Sequence, residues 1–390
     1  MAYLSNRSVN LLNAHVWIQS LAINGAGVFS LVYLLKSGVS LTLALLAVAG
    51  MLAMRFIFRP MVVLVAVRRG LRFTVAASAA FTALRYAALP LVHGAGAALA
   101  IYSIVASLAD TFYWTSYHAY FASLGDTEHR GKQIAVREAM SAVCAIIGPA
   151  AGGWVIAGFG PYAAFGIATV LQLLSALPLL GVPEVAVVKV PPPGSWRKTL
   201  PGILLFAADG WIQSAFAILW PMILFLALGQ SYVAYGGALA LAGLAGALGA
   251  LVLGKLIDDG HGNRVVLLAL GSLAALTLLR AVLIGSPAGA VLATAAGALV
   301  GCLYTPTLMT AIYNLAKKAP CTLRFHVACE GGWDIGGSFG CLLAAGASTL
   351  GLSLSWPIAV SVGGILLMGV LLTRHYLEGV AGLATLEAGD

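Results

Sequence analysis

Few side chains in this sequence can do chemistry, and several of them recur at helical spacing. Asp110, Trp114, Tyr117, His118 and Phe121 follow one another at intervals that share one helical face. His326, Glu330, Trp333, Asp334 and Gly337 form a second stripe, Asp209, Gln213 and Trp220 a third, and His15 with Gln19 a fourth. A carboxylate beside aromatic rings can hold a cation, by charge and by attraction to the ring face. The same carboxylate, withdrawn from water, can carry a proton. Asp110 and Asp209 are the leading candidates for that work. Glu330 and Asp334 come second, and Tyr304 is a further contact. Arg137, Arg85 or Arg324 could pair with Glu330 or Asp334 as a gate.

Other chemistries are less well supported. Cys321, His326, Cys329 and Glu330 lie close in sequence, and with His15 and His118 could pass a soft or borderline divalent ion. Their spacing matches no strong metal site, and Cys often serves as a small apolar residue. No resident metal or other cofactor is expected. No phosphate-cradling loop is present, so ATP is not the expected energy source. No residues are assigned to catalysis, and the chain is not expected to be an enzyme.

The elements that position these groups follow from composition. The chain has 390 residues, of which 61% are hydrophobic and 9% charged. Soluble domains carry roughly 25% charged residues, so lipid must be part of the solvent. Twelve apolar stretches of spanning length run from 9–35 to 354–373, the second at 40–58. Of the 21 Lys and Arg, only Lys36 falls on the outside when the N-terminus is inside, and Arg85 and Arg280 fall within spans. Arg55 and Arg59 count with the cytoplasmic side. This asymmetry makes both termini cytoplasmic. The net charge of +8 therefore implies orientation and lipid headgroups, not nucleic acid. The intramembrane arginines either snorkel or pair with a buried carboxylate. The five cysteines suggest no disulfide framework. The first apolar run holds Asn13, His15 and Gln19, so it reads as a span, not a cleaved leader.

The sequence also repeats itself. HVWIQS at residues 15–20 returns as DGWIQS at 209–214. Gly70 and Arg72 match Gly262 and Arg264, and Glu138 and Gly148 match Glu330 and Gly340. These offsets divide the chain into six-helix halves at 1–182 and 200–375, a Pro-rich cytoplasmic linker at 183–199 and a tail at 376–390. Packing is the plainer reading of the WIQS pair and of Trp114 and Tyr117, which also suit a bundle interior.

The motif GKLIDDGHGNR, Gly254 to Arg264, and the motif GPAAGG, Gly148 to Gly153, resemble signatures of the major facilitator superfamily. The first loop copy keeps Gly70 and Arg72 but has Val62 and Ala66 where the second has Gly254 and Asp258. The resemblance implies an all-α membrane protein of twelve helices in two six-helix bundles. It further implies that helices 1, 4, 7 and 10 line a central cavity. The expected activity is secondary transport of a small solute across the cytoplasmic (inner) membrane by alternating access. Proton coupling is expected, with antiport favoured by GPAAGG. Gly148, Pro149, Gly152, Gly153, Gly254, Asp258, Gly262 and Arg264 are then conformational machinery, as are Gly70 and Arg72. The alternatives are a transition-metal transporter and a transporter-like sensor or assembly partner. The partners expected are the solute, protons and the bilayer, with the chain acting as a monomer.

Overall fold

A computed structural model describes residues 6–125, 130–187, 189, 195–258 and 262–387. Every regular element among them is helical. The first span is α1 (Arg7–Gly25), one 3-10 turn (Gly27–Phe29) and α2 (Ser30–Lys36). It is followed by α3 (Leu41–Arg69), α4 (Leu71–Ala88), α5 (Ala97–Leu124) and α6 (Arg130–Ser175). The seventh span is α7 (Ser195–Gln213), a π-helical segment (Ser214–Leu219) and α8 (Trp220–Ala227). Then come α9 (Tyr232–Asp258), α10 (Gly262–Leu283), α11 (Pro287–Lys318) and α12 (Thr322–Thr349), and last α13 (Ser355–Val360) and α14 (Val362–Glu387).

Local chemistry sets the boundaries. Asn6, Ser40 and Ser286 cap α1, α3 and α11, each accepting from the backbone N–H three residues on. Gly70, at φ 86°, ends α3 and turns the chain straight into α4. Gly160, at φ 84°, breaks the helical backbone within the 46 residues of α6, so the fifth and sixth spans are two helices joined by a kink at that residue. Both positions need the left-handed backbone that glycine adopts without strain.

Nine stretches among the described residues are long and apolar enough to cross a membrane on their own, and the doubled α6 is one of them. The helices α4 and α12 do not stand out by hydropathy, because they carry polar groups into the bundle. They complete the twelve spans. One boundary differs from expectation. The second span does not end near residue 58. It continues through Pro60 to Arg69, which carries Arg55 and Arg59 into the helix interior and away from the cytoplasmic edge.

The bundle consists of two sets. In the first, α1 packs on α6, and α5 on α3 and α4. In the second, α7 packs on α12 and α14, and α11 on α9 and α10. The sets meet along two seams, α3 against α12 and α6 against α9. Small residues let the backbones approach there. A Cβ on Gly236 would strike the Pro149 carbonyl, one on Gly243 the Ala145 carbonyl, and one on Gly153 the Tyr232 carbonyl. Gly148 and Gly152 lie as closely against Asn24 and Gly25 of α1. The GPAAGG motif is thus pressed between the first span and the partner set.

Two ends of the bundle can be named by their contents. At the linker end, Arg72 donates to the Val182 carbonyl at 3.1 Å and pairs with Glu184 at 3.5 Å. The first loop motif therefore clasps the start of the linker. At the far end, Lys36 Nζ donates to the Gln230 carbonyl across the two sets at 3.0 Å. The second loop motif is split: Gly254 and Asp258 belong to α9, Gly262 and Arg264 to α10. Residues 259–261 and the side chains of this motif lie outside the described residues, as do residues 190–194 of the linker.

Candidate solute and coupling site

An ion cluster crosses the α3–α12 seam. Arg59 Nε donates to Asp334 Oδ2 at 2.7 Å, and its Nη2 lies 2.5 Å from the same oxygen. Arg55 Nε lies 3.0 Å from Asp334 Oδ1, close enough for an ion pair though off the line of a hydrogen bond. Glu330 sits 3.4 Å from Arg55 and 3.6 Å from Arg59. Asp334 is fully buried, and Arg59 is 4% and Arg55 7% exposed. The geometry follows from helical spacing: two arginines four residues apart on α3 face two carboxylates four residues apart on α12. A third contact ties the cluster to α5, where Thr115 lies 3.5 Å from Arg59 Nη1.

The partners named from sequence are corrected by this arrangement. Arg137 pairs with its neighbour Glu138 and donates to Tyr117 at 3.0 Å. Arg324 donates to the Lys189 carbonyl. Arg85 pairs with Asp110 at 3.0 Å, joining α4 to α5. None of the three reaches Glu330 or Asp334. Arg55 and Arg59, counted from sequence as cytoplasmic charges, hold them instead.

Asp209 lies in a different setting. It is 8% exposed and accepts from three neutral donors. Tyr304 Oη donates to Oδ1 at 2.7 Å, Gln213 Nε2 to Oδ1 at 3.3 Å, and Trp333 Nε1 to Oδ2 at 2.9 Å. Residues from α7, α11 and α12 thus converge, bringing together Asp209, Gln213 and Tyr304, each named from sequence as a solute contact. Trp333 links this cage to the seam, because the Arg55 guanidinium lies over its ring, 5.3 Å from the centroid.

The repeated phrase has diverged in use. His15 stands where Asp209 stands in the other half, yet it is fully buried within its own set. Its Nδ1 donates to the Ser175 carbonyl at 2.7 Å, and its ring lies 6.0 Å from Tyr113. Gln19 is buried beside it on α1. The α5 stripe divides in two. Asp110 serves Arg85, whereas Trp114, 42% exposed, stacks on His118. His118 in turn stacks on His326 of α12, with ring centroids 5.8 Å apart, and Tyr313 closes on His326 from α11. Cys329 points elsewhere, toward Gly202 and Phe325 of its own set. Among the described residues no three His, Cys, Asp or Glu side chains gather into a metal-holding group.

Arg280 has neither of the fates expected for it. It neither pairs with a carboxylate nor reaches water. Its guanidinium lies 4.4 Å from the Phe216 ring centroid and 4.6 Å from that of Trp220, and donates to the Ala293 carbonyl at 3.4 Å.

A helical membrane bundle whose two sets meet through a buried charge cluster has the build of a small-solute transporter. Residues 16–324 match the family model described as Major Facilitator Superfamily, and the chain belongs to that family. Two solved structures share its fold. The POT family transporter PepTSo, crystallised in meso, superposes with a TM-score of 0.70 at 12% identity, covering 96% of this chain and 98% of that one. A peptide transporter POT in complex with sulfate superposes at 0.66, again at 12% identity, covering 96% and 95%. Identity this low speaks for the fold alone. No curated protein matches the sequence significantly.

Proposed function

We propose that the chain exchanges a small solute for protons across the cytoplasmic (inner) membrane by alternating access. The moving bodies are residues 1–182 and 200–375, with the linker at 183–199 and both termini on the cytoplasmic side, acting as a monomer. The observation that carries this reading is the Arg55–Arg59–Glu330–Asp334 cluster. A buried ion pair is costly to separate, because each charge left alone must be resolvated or neutralised. The two sets can therefore part at this seam only when something replaces the lost partner. A proton on Glu330 or Asp334 does so for the carboxylate side. The cluster thus makes movement of the halves conditional on protonation, which is what a coupled transporter requires.

The other site residues take roles around it. Gln19, Asp110, Trp114, Tyr117 and Gln213 supply polar and aromatic contacts near the solute path, and His118 and His326 meet across the sets toward the linker end. Gly148 and Gly152 lock α6 onto α1 within one body, and Pro149 and Gly153 form the packed surface on which that body moves against α9. That surface, with the antiporter-like form of its motif, supports exchange over symport.

The test is a pair of spin-label distances in protein reconstituted in lipid. One pair spans Ser123 and Lys318 at the linker end, the other the α2–α3 and α12–α13 turns at the far end. Lowering the pH is expected to lengthen one distance while the other shortens. Distances that stay fixed at both ends across the pH range, or lengthen together, would remove the reading.

A further inference from the structure

Among the described side chains, Asp209 is the only carboxylate inside the spans that has no arginine. Asp110 has Arg85, and Glu330 and Asp334 share Arg55 and Arg59. Asp209 has Tyr304, Gln213 and Trp333, all neutral. Three donors orient an anion but leave its charge uncompensated. The α3–α12 cluster beside it is already balanced, with two arginines against two carboxylates. The centre of the bundle therefore has one negative charge in excess. Arg280, an unpaired positive charge inside the spans of the C-terminal set, does not answer it. Arg280 lies against Phe216, seven residues beyond Asp209, about 10 Å further along the helix.

From this we infer that Asp209 is the docking point for a monovalent organic cation, a primary amine or guanidinium, and that this is the solute class carried. The surroundings fit such a group. Gln213 offers a carbonyl oxygen, Tyr304 a hydroxyl, and Trp333 a ring face that already accommodates a guanidinium, that of Arg55. An anionic solute would meet the uncompensated charge of Asp209 beside a cluster already neutralised by Arg55 and Arg59, and be repelled. A cation at Asp209 also sits one ring away from Arg55. Repulsion between the two pushes Arg55 off Trp333 and weakens its hold on α12. Solute binding and seam release are coupled in this way through Trp333.

The inference rests on the transporter reading only for the steps after binding. Binding itself can be measured separately, by thermal unfolding of the purified protein in detergent. The probes are size-matched sets: benzylammonium and benzamidinium as cations, benzyl alcohol and benzamide as neutral analogues, benzoate as the anion. The cations are expected to raise the melting temperature in a saturable way, and the neutral and anionic analogues are not. Asp209→Asn keeps an acceptor and the side-chain volume, and is expected to weaken cation binding at least tenfold. Tyr304→Phe, which removes a donor and keeps the charge, is expected to alter affinity without reversing the preference for cations. Stabilisation by benzoate, no stabilisation by either cation, or an undiminished cation response in a folded Asp209→Asn protein would each overturn the inference. Cation binding with immobile spin labels would remove the transport reading alone. Mobile labels without cation binding would remove this inference alone.

Discussion

At the scale of the residue, most intramembrane charges account for themselves by pairing, with Arg280 and Asp209 the exceptions among the described side chains. On insertion scales a lone charge in a span costs about 2.5–3.5 kcal/mol, so each one must have a partner or a use. Arg59 and Asp334 are partners, both nearly sealed from water. Removing one side of such a pair is expected to cost about 3–5 kcal/mol. Arg59→Met should therefore lower the unfolding temperature in detergent markedly, and Arg59→Met with Asp334→Leu should recover much of the loss. A double variant as unstable as the single one would show that the seam depends on something other than this pairing. Asp110 is less sealed and bound to Arg85. Asp110→Asn is expected to abolish transport at normal surface expression, and full activity in that variant would remove Asp110 from coupling.

At the scale of the element, the legibility of the sequence varies with how polar each helix is. The pairs Asp209 with Gln213 on α7 and Glu330 with Asp334 on α12 were readable because helical spacing groups them on single faces. The α5 stripe instead divides between Arg85 and the His118 stack, and Trp220 lies under Arg280. The arginines that answer α12 were not read, because a count of basic residues near span ends assigns them to a loop. The signal was nonetheless present. Arg55 and Arg59 repeat the four-residue interval of Glu330 and Asp334, a complementarity between two helices 275 positions apart in the chain. Pro60 does not end α3, because proline is tolerated inside a membrane span. The repeat placed His15 and Asp209 together, but the phrase marks a shared backbone position, not a shared role. The glycines at the second seam have a consequence that can be checked. Gly236→Leu places bulk directly on the Pro149 carbonyl, so it should hold the far end of the bundle open. The far-end spin-label distance is expected to stay long at every pH, and a wild-type distance in this variant would deny that α6 and α9 close by backbone contact.

At the scale of the whole molecule, the fold was legible and the central site only partly so. Twelve spans, an internal repeat and two loop motifs were enough to expect the architecture, because lipid forces every backbone group to be satisfied within helices. Which helix faces meet across the halves is decided by tertiary packing, which no single span records. That packing yields two seams of different character. Along α6 and α9 the contact is backbone against glycine. Along α3 and α12 it is charge against charge, beside the Asp209 cage. The first seam allows close approach, and on the proposed function the second makes separation conditional on a proton. The most direct measurement is therefore of flux. Protein reconstituted into liposomes holding a pH-reporting dye would be given an inward benzylammonium gradient. Outward proton movement, abolished in both Asp334→Asn and Asp209→Asn, is the expected result. Proton movement no faster than in protein-free liposomes, or the same in both variants as in the unaltered protein, would contradict the proposal that this chain exchanges a solute for protons.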